Sequence, residues 1–351
     1  NQIEGHVQLA DSTSYGGGYN TSLQNNTITG NSMFRIYGSN TFFEANGANS
    51  QNTFNGNVTM NISGSAEVYT NYDTKSTING NFTVNRTGNG YSFLFRSGAD
   101  ITGNFNFSKN ASGSTNLGNL NYKTSIGGTV NINATQTTNH YFTLHRIHNA
   151  TNGGSINLQS ILGMDIQKDT LQVTSLNVTG YGGGAYAYIY NNLITGNVNT
   201  QDNVGYTNGY GTFIQNNTIN GNSVFTTLGT NILVEANTGN LPNTFNGNVT
   251  FNGNGSGGLY ISNEAASTFN GNLNINRSVA GVTNAFNFGG YLNGNLSYLK
   301  NVGGASEFGH INRKTNITGT ITMSVTQTKS DIFNLFWLQN GTTGGSINIQ
   351  N

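Results

Sequence analysis

The sequence predicts an all-β chain, an elongated right-handed parallel β-helix of about 24 residues per coil and about 15 coils. Three observations predict it. The composition is that of strands and turns, the apolar residues alternate with a period of two, and short motifs return at near-constant spacing inside a longer duplication.

Charged residues are 7% of the chain, against about 25% in an ordinary soluble domain. Disordered chains are poor in aromatic and β-branched residues and rich in proline. Here aromatics reach 11% and proline occurs once, so low charge does not mean disorder. Isoleucine, valine, threonine and the aromatics favour strands, and glycine and asparagine favour turns. Net charge is zero and no basic stripe appears, which argues against nucleic acid. No apolar run is long enough for a transmembrane helix. Cysteine is absent, which favours a bacterial product or a large repeat stack over a small disulfide-stapled domain. The chain starts at Asn1 without a signal peptide, so a mature or excised piece is expected.

One offset of 191 residues relates two copies. It maps Asn25–Phe34 (NNTITGNSMF) onto Asn216–Phe225 (NNTINGNSVF), and Thr53–Thr59 onto Thr244–Thr250. It also maps Gly153–Gln159 onto Gly344–Gln350. Residues 1–191 form the first copy and 192–351 an incomplete second one, in one continuous solenoid. The stretch Ile161–Asn191 has no counterpart, so the array is expected to continue beyond Asn351.

Within each copy the unit is apolar–x–Gly–Asn/Thr/Ser–apolar–x–apolar, as in Ile78-Asn79-Gly80-Asn81-Phe82-Thr83-Val84. Its glycines are Gly30, Gly56, Gly80, Gly103, Gly128, Gly154 and Gly196, then Gly221, Gly247, Gly271, Gly294, Gly319 and Gly345. A tight corner there calls for positive φ or close backbone approach. Asparagine follows the glycine at Asn31, Asn57, Asn81, Asn104, Asn197, Asn222, Asn248, Asn272 and Asn295. On stacked coils these predict a ladder of amide-to-amide hydrogen bonds. The alternation points Val58, Met60, Phe82, Val84, Phe105, Phe107, Val130 and Ile132 inward. Their partners Val249, Phe251, Leu273, Ile275, Leu296, Tyr298, Ile321 and Met323 follow.

Residues suited to chemistry are sparse. Asp11/Asp202, Glu44/Glu235, Arg86/Arg277, Lys109/Lys300 and Lys123/Lys314 recur in both copies and read as surface ion pairs or turn supports. His140, His145 and His148 gather in sequence, but a separation of three on a strand puts side chains on opposite faces. Their second-copy counterparts are Asp331, Phe336 and Gln339, so no metal site is expected, and no cofactor. The thirteen acids are scattered, with no nucleophile elbow or phosphate loop, so no catalysis is expected either. Ala185-Tyr186-Ala187-Tyr188-Ile189-Tyr190 alternates strictly. Tyr186, Tyr188 and Tyr190 therefore form an outward stripe, the candidate surface for a glycan or protein, or a plain cover for the sheet.

The pieces TFNGNVTF, INGNFTVNR, GGTVNIN and GGSINLQ resemble the passenger repeats of vacuolating-cytotoxin-like autotransporters of Helicobacter and its relatives. The resemblance implies a secreted β-helical passenger on the bacterial cell surface, exported through an outer-membrane barrel. This chain departs from it in its very low charge and in carrying no barrel, and nothing in it matches a pore-forming segment. The expected role is a rigid extracellular stalk, fibre or adhesin whose partners are further copies of the repeat, or a host glycan or protein. A self-assembling filament subunit and a carbohydrate-active β-helix enzyme are the alternatives.

Overall fold

In a computed structural model, residues 1–11, 20–136, 140–159, 161–181, 186–202, 211–327 and 331–350 are described. They contain strands and turns and no helix, so no helix is long and apolar enough to cross a membrane. Two compact units divide between Leu176 and Asn177, inside the strand Ser175–Tyr181.

Each unit is a parallel β-solenoid with about 24 residues per turn and three strands in each turn. One turn of the first unit consists of Ser76–Ile78, Phe82–Arg86 and Ser92–Leu94. Among the described residues of each unit the strands pair with their equivalents one turn away, so three parallel sheets run through that unit. Among the described residues of the first unit the first sheet has eight strands, and among those of the second unit it has seven.

Register follows the apolar period. Phe82 lies between Val58 and Phe105, and Val84 between Met60 and Phe107. A slip of one residue would turn each of these side chains to water. Fifteen of the sixteen inward positions named from the sequence are buried, and Ile321 is half-buried. Gly345 pairs over Ile321 and has no side chain to cover it. The interior is largely aliphatic with aromatic stacks, such as Phe82, Phe95 and Phe105 in the first unit and Phe245 on Phe269 in the second. A single turn could not bury this face; its neighbours bury it.

The marker glycines lie between the first and second strands. At ten of them, from Gly30 to Gly128 and from Gly221 to Gly319, φ is not positive. What each needs is space, because a Cβ there would sit 2.2–2.8 Å from an atom of the turn below. Gly154 and Gly345 do have positive φ, 75° and 81°.

The left-handed corner lies elsewhere, between the third strand and the first strand of the next turn. In the first unit it falls on Asn25, Ala45, Asn71, Phe95, Gly118, Arg146 and Lys168. In the second it falls on Asn191, Asn216, Ala236, Ser262, Phe286, Gly309 and Trp337. Only Gly118 and Gly309 are glycine, so the sequence marks this corner poorly. Asparagine tolerates the conformation, whereas alanine and phenylalanine resist it by roughly 1–2 kcal/mol each. Burial of Ala45, Phe95, Ala236 and Phe286 offsets that strain.

Candidate functional site

The tyrosine stripe belongs to the second unit. Ala187 and Ile189 are buried, Tyr186 is 45% exposed, and Tyr188 and Tyr190 are half-buried. Ala185 lies outside the described residues. Phe213, in register with Tyr188 one turn on, stacks against it at 5.4 Å and 20°. Tyr186 packs on the same Phe213 ring at 5.6 Å. The rings therefore cover one another and the sheet beneath, leaving mainly edges for a ligand.

A larger outward aromatic group, unmarked by any motif, sits on the third sheet of the first unit. Phe43 stacks on Tyr69 at 5.0 Å and 12°, and Tyr72 meets both rings edge-on. Phe93 and Tyr91 extend the group. Tyr69 donates its hydroxyl to Glu67, and the Arg96 guanidinium lies 3.9 Å from the centre of the Tyr72 ring. Counterparts in the second copy are Val234, Tyr260, Asn263, Val282 and Asn284, so that copy dispenses with the cluster. As in the stripe, the ring faces are turned mostly onto each other.

The asparagine ladder has a different chemistry from the one its spacing predicts. Asn31 Oδ1 accepts the backbone N–H of Asn57, Asn57 that of Asn81, and Asn81 that of Asn104. Asn104 then accepts from Thr129, where the ladder ends. In the second unit the same bonds run through Asn197, Asn222, Asn248, Asn272 and Asn295 to Thr320, all at 2.8–2.9 Å. The corner places each side-chain oxygen under the next main-chain N–H, so these bonds are not amide to amide. Amide-to-amide rows do occur, through Asn220, Asn246, Asn270 and Asn293, two residues before the predicted ladder.

The reading of the shared charges as surface pairs is corrected. Glu44, Glu235, Arg86, Arg277, Lys109, Lys300 and Asp202 are buried, while Lys123 and Lys314 are exposed. None of the buried seven belongs to either ion pair found among the described residues, Lys75–Asp100 and His145–Asp165. Each instead satisfies polar groups inside the stack. Glu44 accepts from Asn52 Nδ2 at 2.6 Å, Ser76 Oγ at 2.6 Å and the Asn71 N–H at 2.7 Å. Glu235 accepts from Asn243, Ser267 and Ser262 in the same way. Burial raises both carboxyl pKa values against the pull of these donors, Glu235 to about 7. A cavity of about 20 Å³, large enough for one water, adjoins Glu44 between Phe42, Phe54 and Phe82.

Arg86 donates to the carbonyls of Ala66, Gly88, Asn89 and Tyr91, and so holds the corner between the second and third strands. Lys109 occupies the same register one turn on and donates to Gly113 O and Thr115 Oγ1. Burial lowers its pKa to about 7.

His145 Nε2 lies 3.1 Å from Asp165 Oδ2. Among the described residues no three histidine or acidic side chains gather as metal ligands would. Asp169 is buried and accepts the Ile147 N–H at 2.6 Å, and the Asp165 charge adds to the effect of burial in raising its pKa. No family model, curated protein or solved structure matches the chain.

Proposed function

We propose that this chain is a non-catalytic repeat segment of a long bacterial surface protein, acting outside the cell as a rigid stalk, fibre or adhesin. One observation carries the reading. Most of the charged residues shared by the two copies are buried in the stack, Glu44 and Glu235 joining turn to turn and Arg86 and Lys109 holding corners, and do not line an open cleft. Stability in such a stack grows by nearest-neighbour contacts, which suits a part whose product is length. The passenger-like repeats and the lack of cysteine support export in an unfolded state.

Two measurements test it. Deleting one whole 191-residue copy from the full-length protein should shorten the surface structure, seen by electron microscopy, and leave the remainder folded. Unchanged length and unchanged adhesion would remove the stalk reading. Purified protein that degrades a polysaccharide, with the activity lost in Asp165→Asn, would put a carbohydrate-active enzyme in its place. Growth of filaments from the isolated chain would favour a self-assembling subunit.

A further inference from the structure

We propose that Lys300 and Gln327 join in an intramolecular isopeptide bond between adjacent turns of the second copy, with Asp331 carrying the proton. This goes beyond the stalk reading and stands without it.

The two side chains are brought together by register. Lys300 ends the strand Leu296–Lys300 and pairs with Val325 of the strand Ile321–Thr326. Gln327 is two residues past Val325, on the same inward face. Both side chains are buried. Lys300 Nζ and Gln327 Nε2 donate to one acceptor, the Gly304 carbonyl oxygen, the second at 3.3 Å. Amine and carboxamide are thus neighbours in a site shielded from water. Capping that corner does not by itself call for a glutamine. One turn below, Arg277 donates to the Gly257 carbonyl, its partner on the following turn is Lys300, and the residue two past that partner is Val302.

The reaction needs no oxidant and no second substrate. The lone pair of neutral Nζ attacks Cδ of Gln327, and a new C–N bond forms. The bond from Cδ to Nε2 then breaks. One proton passes from Nζ through the Asp331 carboxylate to the departing nitrogen, which leaves as ammonia. Burial lowers the Lys300 pKa and so favours the neutral amine, with the Arg277 charge adding to it and the Asp331 charge pulling the other way.

The first copy is a built-in comparison. Lys109 and Gln136 are both buried there, and Gln136 Nε2 donates to Tyr141 O at 3.4 Å just as Gln327 Nε2 donates to Ile332 O, but only Gln327 also shares the acceptor of its lysine, Gly304 O. His140 stands where the second copy has Asp331. That site is expected to stay unreacted.

The test is mass spectrometry of the whole purified chain. Its mass should fall short of the sequence mass by one ammonia, and a tryptic digest should contain a branched fragment linking Lys300 to Gln327. Succinimide formation at an Asn–Gly pair also releases ammonia, so the branched fragment decides. Lys300→Arg, after the example of Arg277, keeps a donor for the corner and should abolish the branch. Asp331→His, which reproduces the first copy, should reduce branching at least tenfold, with the circular dichroism spectrum unchanged in both variants. A full sequence mass, or an ammonia loss that persists in Lys300→Arg without a branch, overturns the proposal. A second branch between Lys109 and Gln136 overturns the role given to Asp331.

Discussion

Glu235 accepts a 2.5 Å hydrogen bond from Asn243 inside the second unit, and Glu44 accepts one of 2.6 Å from Asn52 inside the first. In each case the amide belongs to a row of buried asparagines. Asn217 gives both its backbone and side-chain N–H groups to Asn243 Oδ1, as Asn26 does to Asn52. A carboxylate buried among such donors is coupled to the protonation of the medium, which gives the first prediction.

Stability should fall as pH rises from about 5 to about 7. The Glu235 pKa is raised to about 7 in the fold from the ordinary value of 4.5. Between those values the folded chain holds a proton that the unfolded chain has released, so its contribution is full at low pH and is lost through pH 7. The loss is at most about 3 kcal/mol. Lys109, lowered to about 7, acts in the opposite sense only above that pH. Urea unfolding across the range should show the slope in the native protein and a smaller one in Glu235→Gln.

Buried and exposed asparagines should differ sharply. Asn243→Ala removes a donor to Glu235 and to Ile214 O, and the acceptor of the Asn217 N–H. It should cost about 3 kcal/mol, because charged and neutral partners are left buried and unpaired. Asn81→Ala removes a single bond to the Asn104 N–H at an accessible corner, a loss of about 1 kcal/mol. Equal shifts in the denaturation midpoint would refute the distinction.

Glycine should matter through space at the marker corner. In Gly128→Ala the new Cβ would lie 2.2 Å from Asn104 Oδ1 and 2.7 Å from Gly103 C, and the cost should reach about 2–3 kcal/mol. Gly239→Ala meets nothing within 4 Å at an ordinary φ and should be neutral or stabilising by up to about 1 kcal/mol. Thermal melts of the two variants give the comparison.

Phe82→Ala should destabilise the chain by about 3–5 kcal/mol through lost burial and a cavity. Its ring is buried and packs 5.7 Å from Phe95 and 5.8 Å from Phe105, centre to centre. A change below about 1 kcal/mol in denaturant unfolding would contradict that packing.

The left-handed corner makes the opposite prediction for an exposed residue. Lys168 has a φ of 59° and an exposed side chain. Lys168→Gly should relieve about 1–2 kcal/mol of backbone strain, less the entropy that glycine adds to the unfolded chain. A small rise in melting temperature is expected, and a fall would show that the lysine stem contributes packing.

The period-two alternation in segments such as Phe82-Thr83-Val84, returning about every 24 residues, by itself determined the parallel solenoid, its register and nearly all of its core. Those features are local in sequence, and stacking only repeats them. Two kinds of feature were decided by the tertiary structure alone. The first is where charge resides. Nothing near Glu44 in sequence announces that Asn52, Asn71 and Ser76, on the following turns, converge on its carboxylate. The second is which corner is left-handed, since Asn71, Phe95 and Arg146 share a conformation but no chemistry. The aromatic group of Phe43, Tyr69 and Tyr72 belongs with these, because it forms from positions that carry no motif within their own turns. In each case the deciding contacts join residues one or two turns apart, across a loop of variable length. Only the closed stack fixes which side chain lies above which.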